Sequence, residues 1–142
     1  MILYFDTSAL IKRYVEEEGT STVDSLWSAS LSIATSVVAF AETAAAFSRK
    51  LREGILTEKE YTETLEMFRI DFDSFTLIPI TTALNATIER LVRRYPLRGL
   101  DAIHLSSALI FKNSSISVQF ACFDRPLNEA ALREGLAIAV QG

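Results

Sequence analysis

Five short runs of apolar, aromatic or β-branched residues, separated by stretches of helical periodicity, leave this chain few folds to choose from. The runs are Ile2–Phe5, Leu31–Thr35, Phe75–Ile80, Val118–Phe123 and Ala137–Val140. Strands buried on both faces read as continuous apolar runs rather than as alternation. Between them, amphipathic helices are predicted over Ser8–Glu17, Ser21–Ala29, Val37–Glu53, Glu58–Ser74, Thr82–Tyr95, Leu100–Lys112 and Leu127–Glu134. The breaks fall at Gly19, Gly54, Pro96, Gly99 and Gly135, and Thr57 with Glu60 three residues on has the form of a capping box. This alternation predicts an α/β domain: a central parallel, twisted sheet of about five strands with helices on both faces. Such sheets place their sites at the carboxyl ends of the strands, above all where the strand order reverses.

The 142 residues, 49% of them hydrophobic, suit one domain spanning 1–142 with a sizeable core. No apolar stretch reaches the roughly 18 residues of a membrane span, and no signal-peptide pattern opens the chain, so a cytoplasmic protein without membrane contact is expected. A single cysteine, Cys122, excludes an intrachain disulfide and a multi-cysteine zinc site. The net charge of −4 gives no global attraction to nucleic acid, although Arg90, Arg93, Arg94 and Arg98 can form a local basic patch.

Four of the 18 acidic residues are out of keeping with their neighbours. Asp6 closes the first strand and Asp124 follows the fourth; each also suits a helix cap or turn. Glu42 is the one charge within VVAFAETAAAF, and helical spacing sets it away from a stripe of Val37, Phe40, Ala44, Phe47 and Leu51 that reads as the core face. Asp101 stands in the first turn of an apolar helix, where an acid also complements the dipole. Glu16–Glu18 read instead as a solvated charge run. Two of the four acids end parallel strands at one sheet edge and two lie near helix starts that face it, so the four can converge. Clustered carboxylates repel unless a cation sits among them, and an all-oxygen set suits Mg²⁺ or Mn²⁺ rather than zinc.

These motifs, in this order, resemble those of the PIN-domain nucleases, and within them the VapC-type toxins of toxin–antitoxin pairs. The resemblance rests on FDTSALIK (Asp6, Ser8, Lys12), on VAFAETAAAF (Glu42), on LDAIHLSSAL (Asp101) and on CFDRPLNEAA (Asp124), and it covers essentially the whole chain. Cys122 occupies a position where many relatives carry Thr or Ser. The resemblance implies a metal-dependent endoribonuclease. Asp6 and Asp101 are then expected as principal metal ligands, Glu42 as a ligand or as the group orienting the attacking water, and Asp124 as a ligand partly through water. Ser8 is expected to support the metal shell or a phosphate, Lys12 or Arg125 to hold the RNA backbone, and Asn128 to stand where a further ligand is sometimes found. His104, the only histidine, is expected to be packed or hydrogen-bonded rather than a general base. The resemblance also implies an RNA substrate, a small antitoxin partner and a homodimer, with Trp27 and Phe47 as candidates for such surfaces or for the core. A nuclease acting on another nucleic acid and a non-catalytic module of the same fold are the alternatives.

Overall fold

The structure, a computed structural model, describes residues 1–141. Its elements in chain order are β1 (Ile2–Phe5), α1 (Thr7–Ile11), α2 (Thr20–Ala29), β2 (Ser32–Ser36), α3 (Val38–Arg52), α4 (Glu58–Phe72), β3 (Thr76–Ile78), α5 (Asn85–Arg94), α6 (Gly99–Asn113), β4 (Val118–Ala121), α7 (Arg125–Arg133) and β5 (Ala137–Ile138). The five strands form one sheet in the order β3-β2-β1-β4-β5, every pairing parallel. From β1 the chain adds β2 and β3 on one side and then crosses back to lay β4 on the other. The order thus reverses between β1 and β4, whose register sets Ile2 opposite Val118 and Phe5 opposite Ala121.

Pleat parity divides the core in two. Tyr4, Ala34, Ile78 and Phe120 face one side and pack with Leu91 of α5, Leu105 and Leu109 of α6, and Leu127 of α7. Leu3, Phe5 and Ala121 face the other and pack with Leu10, Val23, Phe47 and Phe68 from the first four helices. Phe47 is therefore core, and Trp27 is partly buried against the same cluster.

Local chemistry moves several expected boundaries. The first helix was expected to run to Glu17 but ends at Ile11, because the buried Thr20 hydroxyl takes up the carbonyls of Lys12 (3.0 Å) and Val15 (3.3 Å) that a longer helix would use itself. The Thr82–Tyr95 segment divides into a 3₁₀ turn over Thr82–Leu84 and α5. On α3 the buried stripe is Ala39, Thr43, Ala46 and Phe47, while Val37 and Phe40 are 39% and 37% exposed. The expected core face was thus rotated. Phe40 instead stacks on Phe68 and meets Phe72 edge-on, which draws it toward α4.

Gly19 opens α2 at φ 97°, and a Cβ there would lie 2.8 Å from the Phe123 ring and 2.9 Å from Lys12 Cδ. Gly19→Ala is expected to lower stability by at least about 1–2 kcal/mol, the cost of a left-handed backbone for an L side chain, read as a fall in Tm.

Candidate active site

The carboxyl edge between β1 and β4 opens into a cleft of about 410 Å³ whose lining includes Asp6, Glu42, Asp101 and Asp124. Each acid arrives from a different element. Asp6 ends β1 and caps α1, its Oδ1 accepting from Ala9 N (3.0 Å) and Ser8 Oγ (2.7 Å). Asp124 follows β4 and caps α7, its Oδ2 accepting from Leu127 N at 3.1 Å. Asp101 sits in the first turn of α6, where Oδ2 accepts from Arg98 N (3.1 Å) and Arg98 Nε (3.3 Å). Glu42 reaches in from α3, its Oε1 accepting from Thr7 Oγ1 (2.6 Å) and His104 Nε2 (2.8 Å).

These bonds share one pattern. In every case a single carboxylate oxygen is tied down by protein donors, and the other receives no nitrogen or oxygen donor among the described residues. Such oxygens are hard donors of the kind a divalent cation takes. The acids ring the cleft rather than touching one another. No three His, Cys, Asp or Glu side chains among the described residues form a metal cluster as they stand.

Electrostatics separate Asp6 from Glu42. Asp6 is 5% exposed, and burial raises its carboxyl above the ordinary range, against the pull of His104 and the donors Ser8 and Ala9. Burial also acts on Glu42, but hydrogen bonds from His104 and Thr7 outweigh it and hold that carboxyl below its ordinary value. Glu42 is therefore a committed carboxylate.

The supporting residues divide. Ser8 donates to Asp6 and accepts from Phe123 N at 3.2 Å, which joins the ends of β1 and β4. Lys12 lines the cleft but spends its ammonium on Glu17 Oε1 (3.1 Å) and the Glu18 carbonyl (2.8 Å), above the Phe123 ring. Glu17 is accordingly not a free member of a charge run, for Lys50 holds its other oxygen at 3.0 Å. Arg125 and Asn128 are not brought to the acids. They line a neighbouring groove of about 600 Å³ that shares Lys12 and Phe123 with the cleft. Arg125 pairs with Glu129, and Asn128 Nδ2 donates to the Cys122 carbonyl at 2.8 Å. Cys122 Sγ accepts from Asp124 N at 3.2 Å, so sulfur contacts the turn, and burial pushes its thiol up.

His104 is 3% exposed and hydrogen-bonded through both ring nitrogens, to Glu42 and to Tyr4, as a packed rather than a mobile residue. Thr7, Arg49 and Lys50 line the cleft and were not singled out from the sequence. A signal for two of them was present, since Glu42, Ala46, Arg49 and Lys50 recur at helical spacing on one face of α3. The four clustered arginines do not form one patch: Arg90 and Arg94 pair with Glu134, while Arg98 turns to Asp101 at the cleft.

Comparison with known proteins identifies the family and the fold. Residues 3–133 match the PIN domain. Ribonuclease VapC45 and Ribonuclease VapC49, from two strains of Mycobacterium tuberculosis, are each 33% identical over 142 residues, spanning 97% of this chain and 94% of the relative. Among solved structures, M. tuberculosis VapC20, described as a Sarcin-Ricin loop cleaving toxin, superposes with a TM-score of 0.66 at 16% identity, covering 99% of both chains. VapBC2 from Rickettsia felis, bound to a DNA fragment from their promoter, gives 0.65 at 14% identity and 97% coverage of both. At those identities the structures speak for the fold, whereas the match over residues 3–133 and the 33% relatives speak for descent. This chain belongs to the PIN domain family.

Proposed function

We propose that this protein is a divalent-metal-dependent endoribonuclease, the toxin of a VapBC-type toxin–antitoxin pair, acting through Asp6, Glu42, Asp101 and Asp124. The observation that carries the proposal is the pattern of half-tied carboxylates: four acids from four elements line one cleft, each with one oxygen held and the other without a nitrogen or oxygen donor among the described residues. Its substrate class follows from relatives that are named ribonucleases along nearly their full length. Mg²⁺ or Mn²⁺ held there by the free oxygens would supply a Lewis acid that acidifies water and offsets charge on phosphoryl oxygens.

The chain's own residues do the rest. Asp6 and Asp101, which line one cleft, would be the principal ligands, and Asp124 a further ligand partly through water. Glu42, held ionised, serves as a further ligand or orients the water that attacks phosphorus. Arg49 and Arg98 at the rim bind the phosphodiester backbone, the task expected of Lys12, whose charge is already paired with Glu17. An antitoxin that blocks this cleft and a homodimeric assembly belong to the same proposal, as does action in the cytoplasm. No helix among the described residues is long and apolar enough to cross a membrane.

The test is cleavage of a panel of single-stranded and hairpin RNAs, with DNA counterparts, in Mg²⁺, Mn²⁺ or EDTA. Cut RNA in either metal, intact RNA in EDTA and intact DNA are expected. Cleavage of DNA instead would move the protein to another substrate. A folded, antitoxin-free sample that binds Mn²⁺ but cuts nothing would favour a binding module.

A further inference from the structure

We infer that Tyr4, His104 and Thr7 form a positioning relay that fixes the orientation of Glu42 and registers it against Asp6 and Asp101. The inference rests on the metal site proposed above. Tyr4 Oη lies 2.9 Å from His104 Nδ1, His104 Nε2 lies 2.8 Å from Glu42 Oε1 and 3.2 Å from Thr7 Oγ1, and Thr7 Oγ1 lies 2.6 Å from the same Glu42 oxygen.

The donors can be assigned from this geometry. An ionised carboxylate oxygen only accepts, so both Nε2 and the Thr7 hydroxyl must donate to it. Nδ1 meets the hydroxyl of Tyr4, wholly buried against α6, which donates to a bare Nδ1 and accepts from a protonated one. The arrangement requires a proton on Nε2.

The relay's place in the chain gives it its purpose. Tyr4 and Thr7 flank Asp6 at the end of β1, and His104 lies one turn beyond Asp101 on α6. One hydrogen-bonded chain therefore joins the three elements that carry three of the acids. Glu42 is the one acid of the four that does not bond a backbone N–H of its own or a neighbouring turn, and it has the longest side chain to immobilise. Two donors on Oε1 leave Oε2 of this cleft-lining residue without a nitrogen or oxygen donor among the described residues. Partners behind a ligand typically change metal affinity by about 10–100-fold when removed.

The experiment is Mn²⁺ calorimetry on wild type, His104→Leu, His104→Gln, Tyr4→Phe and Thr7→Val, with a thermal melt of each and ¹⁵N NMR of the imidazole in metal-free protein. Leucine is expected to weaken Mn²⁺ binding about 10–100-fold. Glutamine carries a donor and an acceptor on one carbon, and is expected to restore most of that loss. Tyr4→Phe and Thr7→Val should each weaken binding several-fold, and the wild-type spectrum should show a proton on Nε2. A histidine that merely fills space would be replaced by leucine without change in Mn²⁺ affinity, and that result overturns the relay. Should the leucine variant not fold, unchanged affinity in both Tyr4→Phe and Thr7→Val overturns it equally, as does an imidazole that carries its proton on Nδ1 alone. Wild type that binds no Mn²⁺ overturns the functional reading and the relay's purpose together, and is thereby told apart from failure of the relay alone.

Discussion

Asp6→Asn is expected to abolish RNA cleavage while leaving the metal-free protein at least as stable as wild type. The loss should exceed the roughly 100-fold that follows removal of a partner behind a ligand, because on the proposed assignment a ligand itself is being neutralised. The fold is spared for two reasons. Asparagine retains an acceptor for Ala9 N and Ser8 Oγ, so the α1 cap survives. It also lacks the charge whose burial raises the Asp6 carboxyl. A carboxyl raised in the folded state releases its proton first from the unfolded chain. Stability is then fullest below the ordinary carboxylate range and declines as pH climbs through the folded-state value. Thermal melts in EDTA should show the variant level with or above wild type near neutrality, with the gap closing on acidification. A variant that melts well below wild type at neutral pH would mean that the buried carboxylate stabilises the fold.

Phe68→Ala carries the largest expected effect on stability and, in the same protein, little on the chemistry. Phe68 is the one buried residue of α4, and its ring stands 5.4 Å from those of Tyr14, Phe40 and Phe72 and 5.8 Å from that of Phe47. Removing it should cost about 3–5 kcal/mol, a fall of about 12–20 °C in Tm at roughly 4 °C per kcal/mol. No residue of α4 lines the cleft. Specific activity at a temperature where the variant remains folded should therefore match wild type, and hydrogen exchange should show α4 opening first. Activity lost in proportion to stability would tie α4 to the site.

The sheet was legible because buried parallel strands write themselves as uninterrupted apolar runs, and the two strand-ending acids follow once those runs are aligned. Glu42 was legible for the opposite reason, as a charge with no apparent cause in an alanine-rich helix. The core face of α3 was misread because periodicity alone gives large apolar residues priority; Phe40 is large, yet α4 draws it to the rim, and the small Ala39, Thr43 and Ala46 fill the tight interface instead. The end of α1 was hidden because it is decided by Thr20, a side chain beyond the predicted helix. Charges at the cleft mouth were the least legible: Glu17 lies in a run of three acids, and Lys12 and Lys50, far apart in the chain, meet only on it. Arg125 and Asn128 follow Asp124 closely in sequence, but α7 turns away after its cap and carries both toward the adjoining groove.

The strand crossover also bears on the order in which a ribosome delivers this protein. Asp6, Glu42 and Asp101 all precede β4 in the chain, yet Phe123 and Asp124, which complete the cleft lining, follow β4, a strand paired along its length with β1. A nascent chain short of Val118 carries three of the four acids and no site to hold them. The proposed site is therefore complete only once β4 has paired with β1, so that on this reading the ability to cut RNA depends on a contact between segments more than 100 residues apart.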